Sequence, residues 1–207
     1  MVERGIAWAE IDGLHGRIDD AVFVDFPFIF PRYVEPVPTR PRVHPVFQTE
    51  AVLLEQCKLT HLRASGPGGQ NRNKVETAVE WIHLPSGCRG KASERRSQKE
   101  NRDVAVHRLR EQLAVHVRSE PTEAGRLVTN RYTDGLGRIN ISEGNWEWPM
   151  ILAELLNRLA YHQWEIPPAA VELSTTTSQV IKLLRKSRPA LEWVNSQRQA
   201  LGRSALR

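Results

Sequence analysis

Residues 79–92, with the sequence VEWIHLPSGCRGKA, decide the fold of this 207-residue chain. The run 79–84 is rich in β-branched and aromatic side chains, which favour strands. Proline, serine and glycine follow at 85–87 and are typical of a turn. The run 88–92 then returns as a second strand, so the pattern predicts a β-hairpin.

The segments on either side of this hairpin complete a small domain. Residues 58–64 alternate loosely and predict one more strand, whereas residues 65–70 cannot be regular structure and residues 74–78 predict a helical turn. After the hairpin, a long amphipathic helix is expected from about residue 97 to residue 118, because apolar residues recur at helical spacing at Val106, Leu109, Leu113 and Val117. The predicted fold class is α+β: a small sheet, made of a β-hairpin plus one strand, packed on a long helix.

The rest of the chain divides into three further regions. Residues 1–45 contain six closely spaced prolines after residue 26 and predict an irregular, proline-rich extension. Residues 46–118 form the α+β domain, opened by one short helix over 46–56. Residues 119–147, with one proline and four glycines, predict a loop-rich linker. Residues 148–207 predict a small all-helical C-terminal module.

Within the C-terminal module, the pattern predicts a helix starting near Pro149 and a short helix over about 169–173. A third helix is expected to end at Pro189 and a last one to follow it. A plain helical bundle is favoured over a helix-turn-helix. The tryptophans are expected to pack these helices rather than to stack on bases; they are Trp146, Trp148, Trp164 and Trp193.

Composition limits the function classes. Residues 58–118 carry 13 basic and 6 acidic residues, more basic than the rest of the chain, which suggests a polyanionic partner or a solvated basic face. The two cysteines and the histidines have no metal-ligand spacing, so neither a metal site nor a cofactor is predicted. No stretch reaches the length of a membrane span, and a cytoplasmic protein is expected.

The chemistry is expected in residues 63–74, with the sequence RASGPGGQNRNK. Its three glycines allow positive φ and expose main-chain N–H groups without Cβ hindrance. Its basic and amide side chains could hold phosphates and ribose hydroxyls. The alternative is a plain glycine-rich turn between a strand and a helix. The segment matches neither the P-loop nor the dinucleotide-binding fingerprint.

Three ordered blocks make residues 59–113 resemble a known catalytic domain. They are RASGPGGQ at 63–70, NK with TAV at 73–79, and RSQ with NR at 96–102. This arrangement resembles the Gly-Gly-Gln domain shared by class I peptide chain release factors and codon-independent ribosome-rescue hydrolases. The HLPSG string at 83–87 is similar to that family's hairpin turn.

The resemblance implies ribosome-dependent hydrolysis of the peptidyl-tRNA ester. It assigns catalysis to Gly68, Gly69 and Gln70, with the tip placed in the peptidyl transferase centre of the large subunit and no cofactor. In this family the glutamine is commonly N5-methylated, so Gln70 is a candidate substrate of a glutamine methyltransferase. A monomer is expected. The residues predicted to contact RNA are Arg63, Ser65, Asn71, Arg72, Asn73, Lys74, Arg95, Arg96, Gln98, Lys99 and Arg102.

Two departures from the family favour the rescue branch and leave alternatives open. Release factors that read stop codons carry large decoding domains, whereas the 57 residues before Lys58 are broken by prolines and the 89 residues after Arg118 resemble nothing that reads codons. The rescue enzymes end in a basic, mostly disordered tail, but here apolar residues interrupt the basic segment 182–207, so this segment is expected to fold. The alternative functions are a non-catalytic rRNA-binding module and, with little support, a DNA regulator acting through the C-terminal helices.

Overall fold

The three-stranded sheet lies at the centre of the predicted domain. In the computed structural model, which describes residues 43–62 and 78–206, a 3₁₀ turn at Pro45–Phe47 and helix α1 (Glu50–Glu55) precede strand β1 (Cys57–Leu62). Strands β2 (Ala78–His83) and β3 (Arg89–Ala92) form the predicted hairpin. The strand order is β1-β2-β3 and both pairs are antiparallel, which confirms the sheet of a hairpin plus one strand.

One long helix covers one face of this sheet. Helix α2 (Gln98–His116) begins after Ser97, whose side chain accepts a hydrogen bond from the Glu100 N–H. Its backbone lies so close to β3 that a Cβ added at Gly90 would stand 2.1 Å from the Ala105 carbonyl oxygen and 2.4 Å from the Leu109 nitrogen. Only glycine fits at such a contact, and it fixes how the helix sits on the sheet.

The helical C-terminal part packs on the other side of α2. Its helices are α3 (Glu123–Arg131), α4 (Trp148–Tyr161), α5 (Ile166–Glu172), α6 (Thr177–Lys186) and α7 (Arg188–Ala200). Helix α4 is buried along most of its length between α2 and the other helices. The described residues belong to one compact unit with a continuous hydrophobic cluster that runs from the sheet into the C-terminal helices. The α+β fold class, with a helical C-terminal part, is therefore confirmed.

Helix α3 lies within residues 119–147, which the sequence predicts to be loop-rich. The Thr122 hydroxyl caps it by accepting from the Gly125 N–H. Gly125 faces α4 so closely that a Cβ there would stand 2.1 Å from a Glu154 carboxylate oxygen. Glu154 is fully buried, forms an ion pair with Arg158 at 2.7 Å, and accepts from the Thr122 N–H at 3.3 Å. The glycine that suggests a loop is a packing residue.

Three local predictions were wrong. Residues 46–56 do not form one helix, because the Thr49 side chain caps a new helix by accepting from the Val52 N–H. Pro189 does not end a helix. It lies in the first turn of α7, where a missing N–H costs nothing, and Ser187 closes α6 and opens α7. Trp146 does not pack the bundle: it is 64% exposed and lines a surface cavity of about 400 Å³.

Candidate functional site

The segment that carries the predicted chemistry begins and ends at one end of the sheet. Leu62 and Ala78 are Cα partners in the last described pair of the β1–β2 ladder, so residues 63–77 leave and return at neighbouring positions. On the third strand, Ala92 pairs with Val79 at the same end and leads into the turn 93–97 before α2. We call this place, where these segments meet, the loop end of the sheet.

A buried asparagine holds the turn at the loop end. The side chain of Asn101, which is 0% exposed, accepts from the Arg95 N–H at 2.9 Å and donates to the Arg95 carbonyl at 2.9 Å. A single amide thus binds both backbone groups of one residue. Because the Arg95 backbone is fixed from the first turn of α2, the side chains of Arg95 and Arg96 project outward from a rigid base, and both residues are exposed.

A second contact ties the start of α2 to β1. The Gln98 side-chain nitrogen lies 2.9 Å from His61 Nδ1, a geometry in which the amide donates to the unprotonated ring nitrogen. His61 stands two positions before Arg63, where the predicted loop begins. Gln98 therefore links the helix carrying the basic residues to the strand from which the loop leaves.

The nearby carboxylate of Glu94 forms an ion pair with Arg108 of α2. Glu94 accepts from the Ser93 N–H at 2.9 Å, and its other oxygen lies 2.7 Å from Arg108 Nη2. The pKa of Glu94 is lowered, first by the Ser93 hydrogen bond and then by Arg108. Arg108 also donates to the Lys91 carbonyl at 2.8 Å, which fastens the end of β3 to α2. The charge of Glu94 is thus engaged away from the cations at 95 and 96.

The predicted basic residues in the turn before α2 and at the start of α2 fall into two groups. Arg95, Arg96 and Lys99 are exposed and have no ion pair with another described side chain. Arg102 is also exposed, but its guanidinium carbon lies 5.3 Å from the centre of the Trp81 ring, a cation–π distance. Arg102 therefore packs on the sheet as well as presenting its charge. Arg95 and Arg96 lie in the turn that follows Ala92 at the loop end of the sheet, and Lys99 and Arg102 follow in the first two turns of α2.

The remaining predicted residues lie outside the described part of the chain. These are the three assigned to catalysis, of which Gln70 is also the candidate methylation site, and six of the predicted RNA contacts: Gly68, Gly69, Gln70, Arg63, Ser65, Asn71, Arg72, Asn73 and Lys74. Their roles stay predictions. In residues 43–62 and 78–206, no group of three or more His, Cys, Asp or Glu side chains is arranged to hold a metal ion. The helices of those residues also lack the length and apolar character that crossing a membrane requires.

Sequence reasoning missed the residues that support the site. Asn101 entered only as one letter of a matching block, and Trp81 only as a strand former. Gly90 gave no signal because its role depends on which turn of α2 crosses β3. Asparagine is a weak helix former. Its occurrence at position 101, in the first turn of a helix, was the one sign in the sequence that its side chain forms hydrogen bonds outside the helix.

One protein family matches the part of the chain that contains the sheet and α2. Residues 49–142 match the family model of the RF-1 domain. This part of the chain is therefore similar to the RF-1 domain family. The match begins at the residue that caps α1, includes the sheet and α2, and continues past residue 118 through α3.

Curated relatives of the RF-1 domain match over a shorter stretch. Peptide chain release factor 1 of Streptococcus pyogenes serotype M5 (strain Manfredo) is 49% identical over 53 residues, and that of Streptococcus thermophilus (strain ATCC BAA-491 / LMD-9) is equally similar. The matched stretch covers 26% of this chain and 15% of each relative. The chain is thus similar to these proteins over a small part of their length.

Proposed function

We propose that the chain is a release-factor-like peptidyl-tRNA hydrolase that acts on the ribosome without reading a codon. The observation that carries this proposal is the match to the RF-1 domain family at 49–142, which includes the Gly-Gly-Gln tripeptide at 68–70. The position of the ends of residues 63–77 at the same end of the sheet as the turn with Arg95 and Arg96 supports it, because exposed cations can bind the phosphates of the RNA that surrounds the ester.

The proposed chemistry relies on positioning rather than on a protein base. The tip at 66–73, GPGGQNRN, contains no His, Asp, Glu or Cys that could serve as a general base or nucleophile. In the proposed mechanism, the main-chain N–H of Gln70 donates to the developing oxyanion or departing 3′ oxygen, and its side chain places the water. One such donor is typically worth about 3 kcal/mol in a site closed to bulk water, and orientation of the water adds to it.

The proposal also states that the protein acts on the ribosome without recognising a stop codon. Residues 148–200 form helices that pack back on α2 and share its hydrophobic cluster. The basic residues of this part are largely engaged within the fold: Arg198 donates to the Trp164 carbonyl at 2.6 Å, and Arg188 pairs with Glu192 at 2.7 Å. We therefore propose that stalled ribosomes are recognised through the RF-1 domain, and not through a basic tail.

The remaining expectations are part of the same proposal. We propose that the partners are the large ribosomal subunit and peptidyl-tRNA and that the protein acts as a monomer on cytoplasmic ribosomes. Gln70 would be the substrate of a glutamine methyltransferase, which mass spectrometry of the natural protein can test through a mass increase of one methyl group on the peptide that contains it.

Peptide release from stalled ribosomes tests the proposal. Gly68→Ala combined with Gly69→Ala should abolish release while binding to the ribosome stays close to that of the unaltered protein. The matched control is Gly135→Ala combined with Gly144→Ala, since an added Cβ at either position meets no atom within 4 Å. The control should release peptide normally. Normal release by the 68/69 variant would refute the catalytic assignment.

The alternative function is a non-catalytic module that binds rRNA. The same basic residues at the loop end of the sheet would serve it, and the tripeptide would have no chemical role. Purified protein that binds large subunits but never frees peptide, under conditions where a bacterial release factor does so, would select this alternative.

A further inference from the structure

The face of the sheet that points away from α2 carries a set of cations that the sequence reasoning did not use. Residues alternate between faces along a strand, and Trp81 and Gly90 are buried on the α2 side. Their neighbours therefore point the other way and form two rows across the three strands. The first row is Lys58, Ile82 and Arg89, and the second is Thr60, Glu80 and Lys91. We call these six residues the outer sheet face.

Three cations dominate the outer sheet face. Lys58, Arg89 and Lys91 are exposed, and none of their side chains forms a hydrogen bond or ion pair with another described residue. The face carries one acid, Glu80, which is half-buried between the flanking strands. Neighbouring strands lie about 4.8 Å apart and alternate residues about 7 Å apart, so the cations span an area of roughly 10 by 7 Å.

The outer sheet face is continuous with the site already described. Arg89 and Lys91 follow β3 toward Ala92, after which the chain reaches Arg95 and Arg96 at the loop end of the sheet. The Lys91 backbone is held by Arg108 from α2, so this side of the strand is fixed in place. The result is one basic track that runs along β3 from the hairpin to the anchor points of residues 63–77.

Unpaired cations in such an arrangement are complementary in charge to a polyanion. Three cations on so small an area repel one another, and no described acid other than Glu80 shares the face. A nucleic acid duplex carries a phosphate on each strand about every 3.4 Å of its axis, so an area of this size faces several phosphates. Contacts of this type position a protein without reading sequence.

We propose that the outer sheet face binds the RNA phosphate backbone through Lys58, Arg89 and Lys91. On the ribosome this surface orients the RF-1 domain so that residues 63–77 point at the ester, and that part of the inference rests on the proposed function. The binding itself does not depend on any catalytic activity of the chain.

Salt-dependent binding to isolated large ribosomal subunits tests the proposal. The variant replaces Lys58, Arg89 and Lys91 with glutamine. The control makes the same change of charge elsewhere, with Arg138→Gln, Lys182→Gln and Arg188→Gln. All three residues are exposed, and Arg138 and Arg188 form surface ion pairs with Asp134 and Glu192. The logarithm of the binding constant is measured against the logarithm of the salt concentration. Each phosphate contact contributes about 0.7 to 0.9 to this slope.

The outer-face variant should bind at least tenfold more weakly at roughly 0.1 M salt and lose about 2.1 to 2.7 from the slope, whereas the control should keep the slope of the unaltered protein. A second variant, Glu80→Lys, adds a cation to the same face and should steepen the slope by about 0.7 to 0.9. Equal slopes for the outer-face variant and the control would overturn the proposal, as would a Glu80→Lys protein with an unchanged slope.

Failure of this inference and failure of the proposed function give different results. Face-dependent binding by a protein that never releases peptide would leave the inference standing and reject the hydrolase. Normal release, with the two triple variants indistinguishable in binding, would reject the inference alone.

Discussion

Replacing Gly90 with alanine should separate the long helix from the sheet. The new Cβ would stand 2.1 Å from the Ala105 carbonyl oxygen, 2.4 Å from the Leu109 nitrogen and 2.8 Å from the Leu109 Cα, all of which are backbone atoms. No side chain can rotate away to relieve the clash, so α2 must move outward by about 1 Å or more. Overpacking of cores typically costs about 1 to 3 kcal/mol and occasionally more. Because the obstacle is backbone, we expect a loss of at least about 3 kcal/mol.

Chemical denaturation followed by circular dichroism measures this loss. Domains of this kind are typically stable by about 5 to 15 kcal/mol, so Gly90→Ala should unfold at a clearly lower denaturant concentration or fail to accumulate. Gly135→Ala is the matched control, since a Cβ there meets nothing within 4 Å, and it should stay within about 0.5 kcal/mol of the unaltered protein. A Gly90→Ala protein within about 1 kcal/mol of the unaltered one would refute the close contact between β3 and α2.

Two further predictions concern buried polar groups. Asn101→Ala removes both hydrogen bonds to Arg95 and should lower the unfolding free energy by about 2 kcal/mol, at about 1 kcal/mol per bond. It should also weaken binding to large ribosomal subunits. Unchanged stability and binding would contradict the role given to the amide. Burial lowers the pKa of His44 from 6.5 to about 4, while its ring accepts from the Val46 N–H and donates to the Val117 carbonyl. Since the folded pKa is depressed, this stabilisation is present above pH 6.5 and is lost as the pH falls toward 4, by about 3 kcal/mol. Unfolding free energies measured across this range should fall more steeply for the unaltered protein than for His44→Gln, and equal slopes would contradict the assignment.

The hairpin and the long helix could be predicted because each depends on a local pattern. Strand residues, turn residues and returning strand residues follow one another over 79–92, and the structure has β2 and β3 there. Ser97 is a good cap, and α2 begins directly after it. The apolar spacing in α2 identified Leu109 and Leu113, both fully buried.

Other features could not be predicted, since they depend on contacts between distant segments. A local sequence pattern with Gly125 predicts a loop. In the structure Gly125 lies in α3, where it packs against Glu154, which is 29 positions later in the sequence. A proline can follow the end of one helix or lie in the first turn of the next, and at Pro189 only the two-sided capping by Ser187 decides between these outcomes. The buried residues of α2 include Arg110, which donates to the Val46 carbonyl at 2.9 Å. The sequence gives no sign of this burial, since a charged residue is usually exposed.

The sequence suggests a chemistry for the candidate site, which stays a prediction, but gives no sign of the contacts that support the site. The basic residues around the start of α2 were singled out from the sequence. The contacts that hold this region, made by Asn101 and by Gln98 with His61, depend on where α2 meets the end of the sheet. The outer sheet face was missed for the same reason, because Lys58 and Arg89 lie 31 positions apart and share a row only through the register of three strands.

The central claim is that main-chain donors at residues 68–70 act on an ester that ribosomal RNA holds in place. The most direct measurement compares peptide release from ribosomes stalled without mRNA in the A site with cleavage of the same peptidyl-tRNA free in solution. We predict rapid release on the ribosome and no cleavage above the spontaneous rate in solution. Equal cleavage of the free peptidyl-tRNA would contradict the account, because a chain with no base or nucleophile at its tip would then be hydrolysing the ester unaided.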